Sequence, residues 1–207
     1  MLDLYTWRTP NGRKVPILLA ELGLPYQLHL VDLGKHEQKA PAYLAINPNG
    51  KIPALVDRDG PDGKSVRVFE SGAILEYLAD KTGRFLPRDP AGRAEVMSWV
   101  FWQVGGPGPT FGQLGANDGH GPRDDASYRK VMTEARRLVG VLDGQLRGRD
   151  YIAGEYSIAD IACFPWFVAV AEQHGMVLED AEHVAAWMAR LATRPAVIEG
   201  MSVAAKP

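Results

Sequence analysis

Two short stretches carry residue types able to hold a small charged ligand. Asn49-Gly50-Lys51-Ile52-Pro53-Ala54-Leu55 enters an apolar strand through a proline, and Phe69-Glu70-Ser71-Gly72-Ala73-Ile74 leaves one through an acid, a hydroxyl and a glycine. The first presents bare backbone at Ile52. The second opens a helix at Ser71, where N–H groups and the positive end of the helix dipole favour an anion. Side by side, they suit a small peptide carrying a carboxylate. A third group lies upstream: Thr9-Pro10-Asn11-Gly12 places a hydroxyl and an amide where the first strand gives way to a helix.

The elements that would position these residues follow from periodicity and punctuation. Leu2 to Thr6 reads as a strand, and Val15 to Leu22 as an apolar helix closed by Gly23. Pro16 fits only in a first turn, so that helix either starts late or bends. Tyr26 to Val31 alternates as a second strand. Ala54 to Asp57 and Val66 to Phe69 form a hairpin around a polar Gly/Pro/Asp turn. Ser71 is expected to cap a helix with Ile74, Leu75, Leu78 and Ala79 on one face, ended by Gly83. The first part is thus β-α-β, a long loop, then β-β-α.

Beyond Leu86-Pro87-Arg88-Asp89-Pro90 the pattern turns helical. Ala94, Met97, Phe101 and Val104 share one expected face. Val131 or Met132, Ala135, Leu138 or Val139, Leu142 and Leu146 share another, and Val184, Trp187, Met188 and Leu191 a third. Ser157-Ile158-Ala159-Asp160 has the spacing of a capping box and is assigned to folding. Trp99 to Pro109 runs an aromatic helix into glycines and prolines that must kink or stop it; its small residues make either a packed break or the wall of a cleft. An α/β domain followed by an all-α domain accounts for the pattern, with boundaries expected at 1–83, a linker at 84–90, and 91–207.

Bulk properties narrow the function classes. A net charge of −2 and no basic block with interleaved aromatics leave no expectation of nucleic-acid binding. No apolar run reaches membrane-spanning length, so no membrane partner is expected. Met1-Leu2-Asp3-Leu4-Tyr5 starts directly as a strand, without the basic region and long apolar run of a signal peptide. Cys163 is the single cysteine, which rules out an intramolecular disulfide and fits a reducing, cytoplasmic home. No His/Cys cluster has metal-ligand spacing, and no metal is expected.

Over nearly its whole length the chain resembles the glutathione transferase superfamily. Ile52-Pro53 is similar to that superfamily's cis-proline element, Glu70-Ser71 to its γ-glutamyl-binding pair, and Ser157 to Asp160 to its helical capping box. Thr9-Pro10-Asn11-Gly12, Val31-Asp32-Leu33-Gly34-Lys35, Phe69 to Ile74 and Trp102-Gln103-Val104-Gly105-Gly106 resemble the Nu class, bacterial proteins known as glutathione-dependent disulfide-bond oxidoreductases. The resemblance implies a thioredoxin-like N-terminal domain, a helical C-terminal domain, glutathione as co-substrate and a homodimer.

The resemblance also implies a chemical task, which is to hold the glutathione sulfur as a thiolate. A free thiol has a pKa of about 8.5, and lowering it by two units requires about 2.7 kcal/mol of preference for the anion. A hydrogen bond to a charged group supplies roughly 1.5–3 kcal/mol, and a helix start roughly 0.3–1 kcal/mol. One donor at a helix start is nearly sufficient. Thr9 is assigned as that donor and Asn11 as its partner, each also able to serve as a turn or capping residue. Tyr5 is the alternative, but it lies within the strand, whose alternation turns its hydroxyl elsewhere.

By the same resemblance Ile52 and Pro53 would meet the cysteinyl unit, and Ser71 the γ-glutamyl carboxylate. Glu70 would take the ammonium, and Lys51 and Gln38 the glycine carboxylate. An arginine of the helical domain assists in Nu-class relatives; Arg129 and Lys130 stand near that place and the register between them stays open. Cys163 sits in an apolar helix and reads as a buried, inert thiol, so both reacting sulfurs would come from glutathione. The leading expectation is glutathione-dependent reduction of small disulfides. Conjugation of glutathione to electrophiles is the second. A non-catalytic binding protein on the same fold is the third, although its expected mark, loss of the ligand residues, is not seen.

Overall fold

The computed structural model describes residues 1–117 and 126–203. The chain divides into two units, Met1–Arg84 with the segment from Arg194 onward, and Phe85–Thr193. The first is α/β and the second is all helical.

The first unit is built on a four-stranded sheet of order β2-β1-β3-β4, formed by β1 (Leu2–Thr6), β2 (Tyr26–Leu30), β3 (Ala54–Asp57) and β4 (Val66–Phe69). β1 and β2 are parallel and the other pairs antiparallel, with Leu4 opposite Leu28 on one side and Leu55 on the other. α1 (Pro10–Leu22) and α3 (Ser71–Thr82) pack together, and α3 also packs on β3 and β4. Leu4, Ile17, Leu18, Leu55, Ile74 and Leu78 are fully buried in this unit. The short α2 (Pro41–Leu44) brings Tyr43 to a smaller cluster with Val31, Ala54, Tyr5, Ile46 and Ile52. Tyr5 stacks on His29 at 4.4 Å and meets Tyr43 edge-on at 6.2 Å. The Tyr5 ring thus packs against β2 and α2, while the next residue, Thr6, is the one that bonds Gly12.

α1 begins at Pro10, five residues before the start expected from periodicity. Thr9 is its N-cap, Pro10 occupies the first turn, and Gly23 ends it in a left-handed conformation. Pro16 lies inside the helix and has no N–H for the carbonyl of Gly12. That carbonyl instead accepts the buried Thr6 hydroxyl at 2.8 Å. A Cβ at Gly12 would stand 1.9 Å from the Trp7 carbonyl oxygen, so only glycine fits there.

The helical unit contains α4 (Pro90–Gly105), α5 (Pro107–Asn117), α6 (Ala126–Leu146), α7 (Ile158–His174) and α8 (Glu182–Ala192). The capping box at the start of α7 is formed. Asp160 accepts from the Ser157 and Ile152 amides at 3.0 and 3.1 Å and from the Trp187 indole at 2.9 Å. α6 buries Ala135, Leu142 and Leu146 as its periodicity predicts; of the alternatives it buries Met132 and leaves Val131 half-buried, and it buries both Leu138 and Val139. α4 differs: it buries Val96, Met97, Val100 and Gln103, while Ala94 is exposed and Phe101 is 63% exposed. Its mixed apolar pattern supports two overlapping faces, and packing selects the one led by Val96. The glycine-rich stretch stops α4 at Gly105 and opens α5 at Pro107. Cβ atoms at Gly108 and Gly112 would lie 3.1 Å from the Gln103 side chain and 3.5 Å from the Trp166 ring. These glycines serve close packing inside the unit.

α9 (Pro195–Ser202) belongs with the first unit and packs on α1, whereas its helical character alone groups it with the second half. Gly200 sets the approach: a Cβ there would sit 2.4 Å from the Ile17 backbone nitrogen. Gly200→Ala is expected to separate the two helices and destabilise the first unit by roughly 1–3 kcal/mol. Denaturant titration checks this; a midpoint equal to that of the parent chain would contradict the packing.

Asp3 lies on β1, inside the sheet, and is buried. The Arg58 Nε bond at 2.6 Å and then the His29 Nε2 contact at 2.9 Å hold its carboxyl below the usual carboxylate range. Because the folded value is depressed, the stabilisation is present above the unfolded pKa of about 3.9 and is lost as pH falls through the folded value. Arg58 is largely exposed, which screens the pair. Urea midpoints measured from pH 6 down to pH 3 should fall, and Asp3→Asn should flatten part of that fall. Asp57 carries the same sign, since hydrogen bonds from Lys81, Tyr77 and the Asp59 amide outweigh the upward effect of burial.

Candidate functional site

The residues singled out in the first unit lie on two helix starts and one loop. Thr9 has extended backbone, and its Oγ1 accepts from the Gly12 amide at 3.1 Å. A hydroxyl offers two lone pairs and one hydrogen; the cap uses a lone pair and leaves the hydrogen for another acceptor. Asn11 lies half-buried inside the first turn of α1. It is therefore Thr9, and not Asn11, that caps the helix.

The loop before β3 is held from behind. The Asn47 side chain folds the turn by accepting from the Asn49 amide at 2.9 Å. Tyr43 Oη and Asn47 Nδ2 both donate to the Lys51 carbonyl at 2.6 Å. Burial pushes the Tyr43 phenol up to about 12, against a smaller downward effect of Asn47, so it remains a donor at neutral pH. Gly50 turns with φ 60°, and a Cβ there would meet Lys39 Nζ at 2.9 Å and the Gln38 carbonyl at 3.0 Å. The Gln38 segment thus lies against the turn leading into Lys51. Lys51 is exposed, Ile52 half-buried and Pro53 buried. The Ile52–Pro53 bond is cis. Strand pairing begins at Ala54, so the Ile52 backbone lies outside the sheet ladder.

The start of α3 is unlike an ordinary cap. Glu70 is the N-cap and Ser71 the first helical residue, so the capping position falls one residue earlier than expected. Glu70 has φ 73° and ψ 121°, a region that a residue with a Cβ rarely adopts. Its Oε1 accepts from Asn49 Nδ2 at 3.2 Å, which joins the helix start to the Lys51 loop. Ser71 is nearly buried and its Oγ accepts from Lys14 Nζ at 3.2 Å. Lys14 comes from α1 and is fully buried, so it ties the two helix starts together. The structure thus brings Gln38, Lys51, Ile52, Pro53, Glu70 and Ser71 to one end of the sheet and links α1 to them through Lys14.

Tyr43, Asn47 and Lys14 were not singled out from the sequence. Asn47-Pro48-Asn49-Gly50 carries a visible turn signal for Asn47. Nothing local marks Tyr43. Lys14 follows Arg13 just ahead of the apolar run from Val15 to Leu19, and a lysine there reads as an exposed helix residue. Arg129 and Lys130 are both exposed on α6. Cys163 is fully buried in α7.

The glutathione S-transferase N-terminal domain family matches residues 9–81, and the glutathione S-transferase C-terminal domain family matches residues 96–195. The chain is similar to the disulfide-bond oxidoreductase YfcG of Escherichia coli (strain K12), with 45% identity across 95% of this chain and 92% of that one. It is similar to the crystal structure of a glutathione transferase from Pseudomonas putida with one glutathione disulfide bound per subunit. That match has a TM-score of 0.94 and 42% identity, covering 98% of this chain and 91% of that chain. A glutathione transferase from Burkholderia graminis with two glutathione molecules bound per subunit matches with a TM-score of 0.92 and 45% identity, over 100% of this chain and 89% of that chain. The two domain families follow one another in the order of the α/β and helical units, and the relatives span nearly all of the sequence: the chain belongs to the glutathione S-transferase family.

Proposed function

We propose that this protein reduces small disulfides with glutathione, using thiolates that it binds and no cysteine of its own. The observation that carries the reading is the place of Cys163, fully buried in α7, which leaves no protein thiol to attack a disulfide. The glutathione disulfide and paired glutathiones held by the relatives, and the name of the Escherichia coli relative, support the same chemistry.

The reaction runs by two exchanges. A glutathione thiolate attacks one sulfur of the substrate disulfide, forming a mixed disulfide and expelling one substrate thiolate. A second glutathione thiolate attacks the glutathione sulfur of that mixed disulfide. It forms glutathione disulfide and releases the second substrate thiolate, which takes a proton from water. Two glutathiones are oxidised and one disulfide is reduced.

In this reading the Thr9 hydroxyl donates its unused hydrogen to the thiolate, at the positive end of α1, and Asn11 adds its amide. The Ile52 backbone pairs with the cysteinyl unit like a short strand beside Pro53. Ser71 and the first amides of α3 take the γ-glutamyl carboxylate, and Glu70 takes the ammonium. Lys51 and Gln38 meet the glycine carboxylate. A cytoplasmic location, where glutathione is plentiful, and a homodimer complete the proposal. The exposed Phe101 and Val104 leave apolar surface on α4 that a second copy would cover.

Thr9→Ala is expected to lower kcat/KM for a hydroxyethyl disulfide substrate by roughly tenfold to a hundredfold, the worth of one charge-assisted hydrogen bond. Thr9→Ser, which keeps both cap and donor, should stay near the parent. An Ala variant at parental rate would remove Thr9 from the scheme. Cys163→Ala should retain full disulfide reductase activity; its loss in a folded variant would sink the cysteine-free mechanism. The same preparations assayed with a chloronitrobenzene separate this reading from conjugation, which would then be the faster reaction.

A further inference from the structure

We propose that the disulfide this protein reduces is one carrying carboxylates, and that Arg8 and Arg13, on either side of Thr9, select it. The inference rests on the reading of the protein as a disulfide reductase with Thr9 beside the reacting sulfur.

The Thr9 amide donates to the Trp7 carbonyl at 2.8 Å, so residues 7 to 9 form a three-residue turn with Arg8 at its apex. The same carbonyl would stand 1.9 Å from a Cβ at Gly12, which fixes the turn against the start of α1. Arg8 is exposed, and its guanidinium lies 4.8 Å from the centre of the half-buried Trp7 ring. A guanidinium stacked on an aromatic face keeps its charge and its donors. That charge is thereby held at the turn that carries Thr9.

Arg13 follows Thr9 by four residues, which puts the two on one face of α1. Helical side chains lean toward the N-terminus of their helix, so Arg13 reaches back toward the turn of Thr9. Its Nε is buried and has no hydrogen-bond partner among the described residues. A buried donor without an acceptor is costly, and a bound anion would satisfy it. The acids nearest in sequence are engaged elsewhere, Asp3 with Arg58 and His29, and Glu21 with Arg194. No acid lies between them along the chain. Two positive groups beside the sulfur change which disulfide can approach it. A thiolate attacking a disulfide that bears carboxylates meets like charge, and nearby cations offset that repulsion. The same cations repel a disulfide that bears ammonium groups.

Three disulfides of similar length separate charge from reactivity: dithiodipropionate as a dianion, hydroxyethyl disulfide as a neutral molecule and cystamine as a dication. For each, kcat/KM is to be measured at neutral pH with saturating glutathione on the full chain, Arg8→Gln, Arg13→Gln and Arg8→Lys. The readout is the dianion-to-dication ratio of each variant against that of the parent, in which the intrinsic reactivity of the disulfides cancels. The ratio is expected to fall roughly tenfold in each Gln variant, the effect of a unit charge a few ångströms away at a wet surface on groups of opposite sign. Arg8→Lys, which keeps the charge, should retain most of it, and added salt should narrow it in the parent. Thermal melts establish folding, and the exposed Arg8 keeps the test decisive should Arg13→Gln not fold. A ratio within twofold of the parental one in both Gln variants overturns the inference. So does an equal loss with all three disulfides, or a raised KM for glutathione with the ratio intact, since these place the arginines in the fold or on glutathione. A parent chain that does not reduce even the neutral disulfide sinks the reductase reading itself, an outcome distinct from an unaltered ratio.

Discussion

The first unit depends on one exchange of hydrogen-bond partners at the base of α1. Pro16 has no N–H, and the carbonyl of Gly12 that it would have filled is taken by the Thr6 hydroxyl. A buried carbonyl left without a donor would cost about 1–3 kcal/mol, so the exchange is strongly held. It fastens the end of β1 to the second residue beyond Pro10. The turn between them then closes so tightly that position 12 has no room for a Cβ. Both residues proposed for sulfur chemistry stand on that turn: Thr9 at the cap and Asn11 in the first turn.

The same linkage explains how separate elements come to one place. Lys14 joins α1 to the start of α3. Asn49 joins the start of α3 to the loop before β3. Tyr43 and Asn47 hold that loop through the Lys51 carbonyl. Each bond uses a side chain whose own position is set by packing or by a turn, which is how a rigid frame presents bare backbone to a ligand.

Much of the arrangement was legible in the chain, for identifiable reasons. β1, β3 and β4 carry short apolar runs between strong turn signals, and their bounds follow. α6 and α8 carry wide apolar stripes that specify one face. α4 does not: with Val96, Met97, Val100, Phe101 and Val104 it offers more than one apolar stripe, and only tertiary contact decides that Phe101 stays outside. The early start of α1 was hidden because its first turn is polar and Pro16 argues for a break. The compensating Thr6 hydroxyl comes from the end of β1, just ahead of the helix, and the helical pattern gives no sign of it. Ile52, Pro53, Glu70 and Ser71 stood out because they interrupt regular elements with unusual residue types. Lys14 did not, since a lysine within a helix ordinarily faces solvent, and its burial is a property of how α1 meets α3. The glycines after Trp102 signalled a break correctly, but what fills the space beside them, Gln103 and Trp166, required the packed structure.

The seating of α9 against Ile17 has a consequence for biosynthesis. Gly200 and its neighbours leave the ribosome only after every helix of the second unit has been made, yet they close the apolar side of α1. During translation the α/β part therefore waits, with that flank uncovered, until α9 returns to it. A chain released before α9 would keep every residue proposed to meet glutathione and still lack the helix that covers α1.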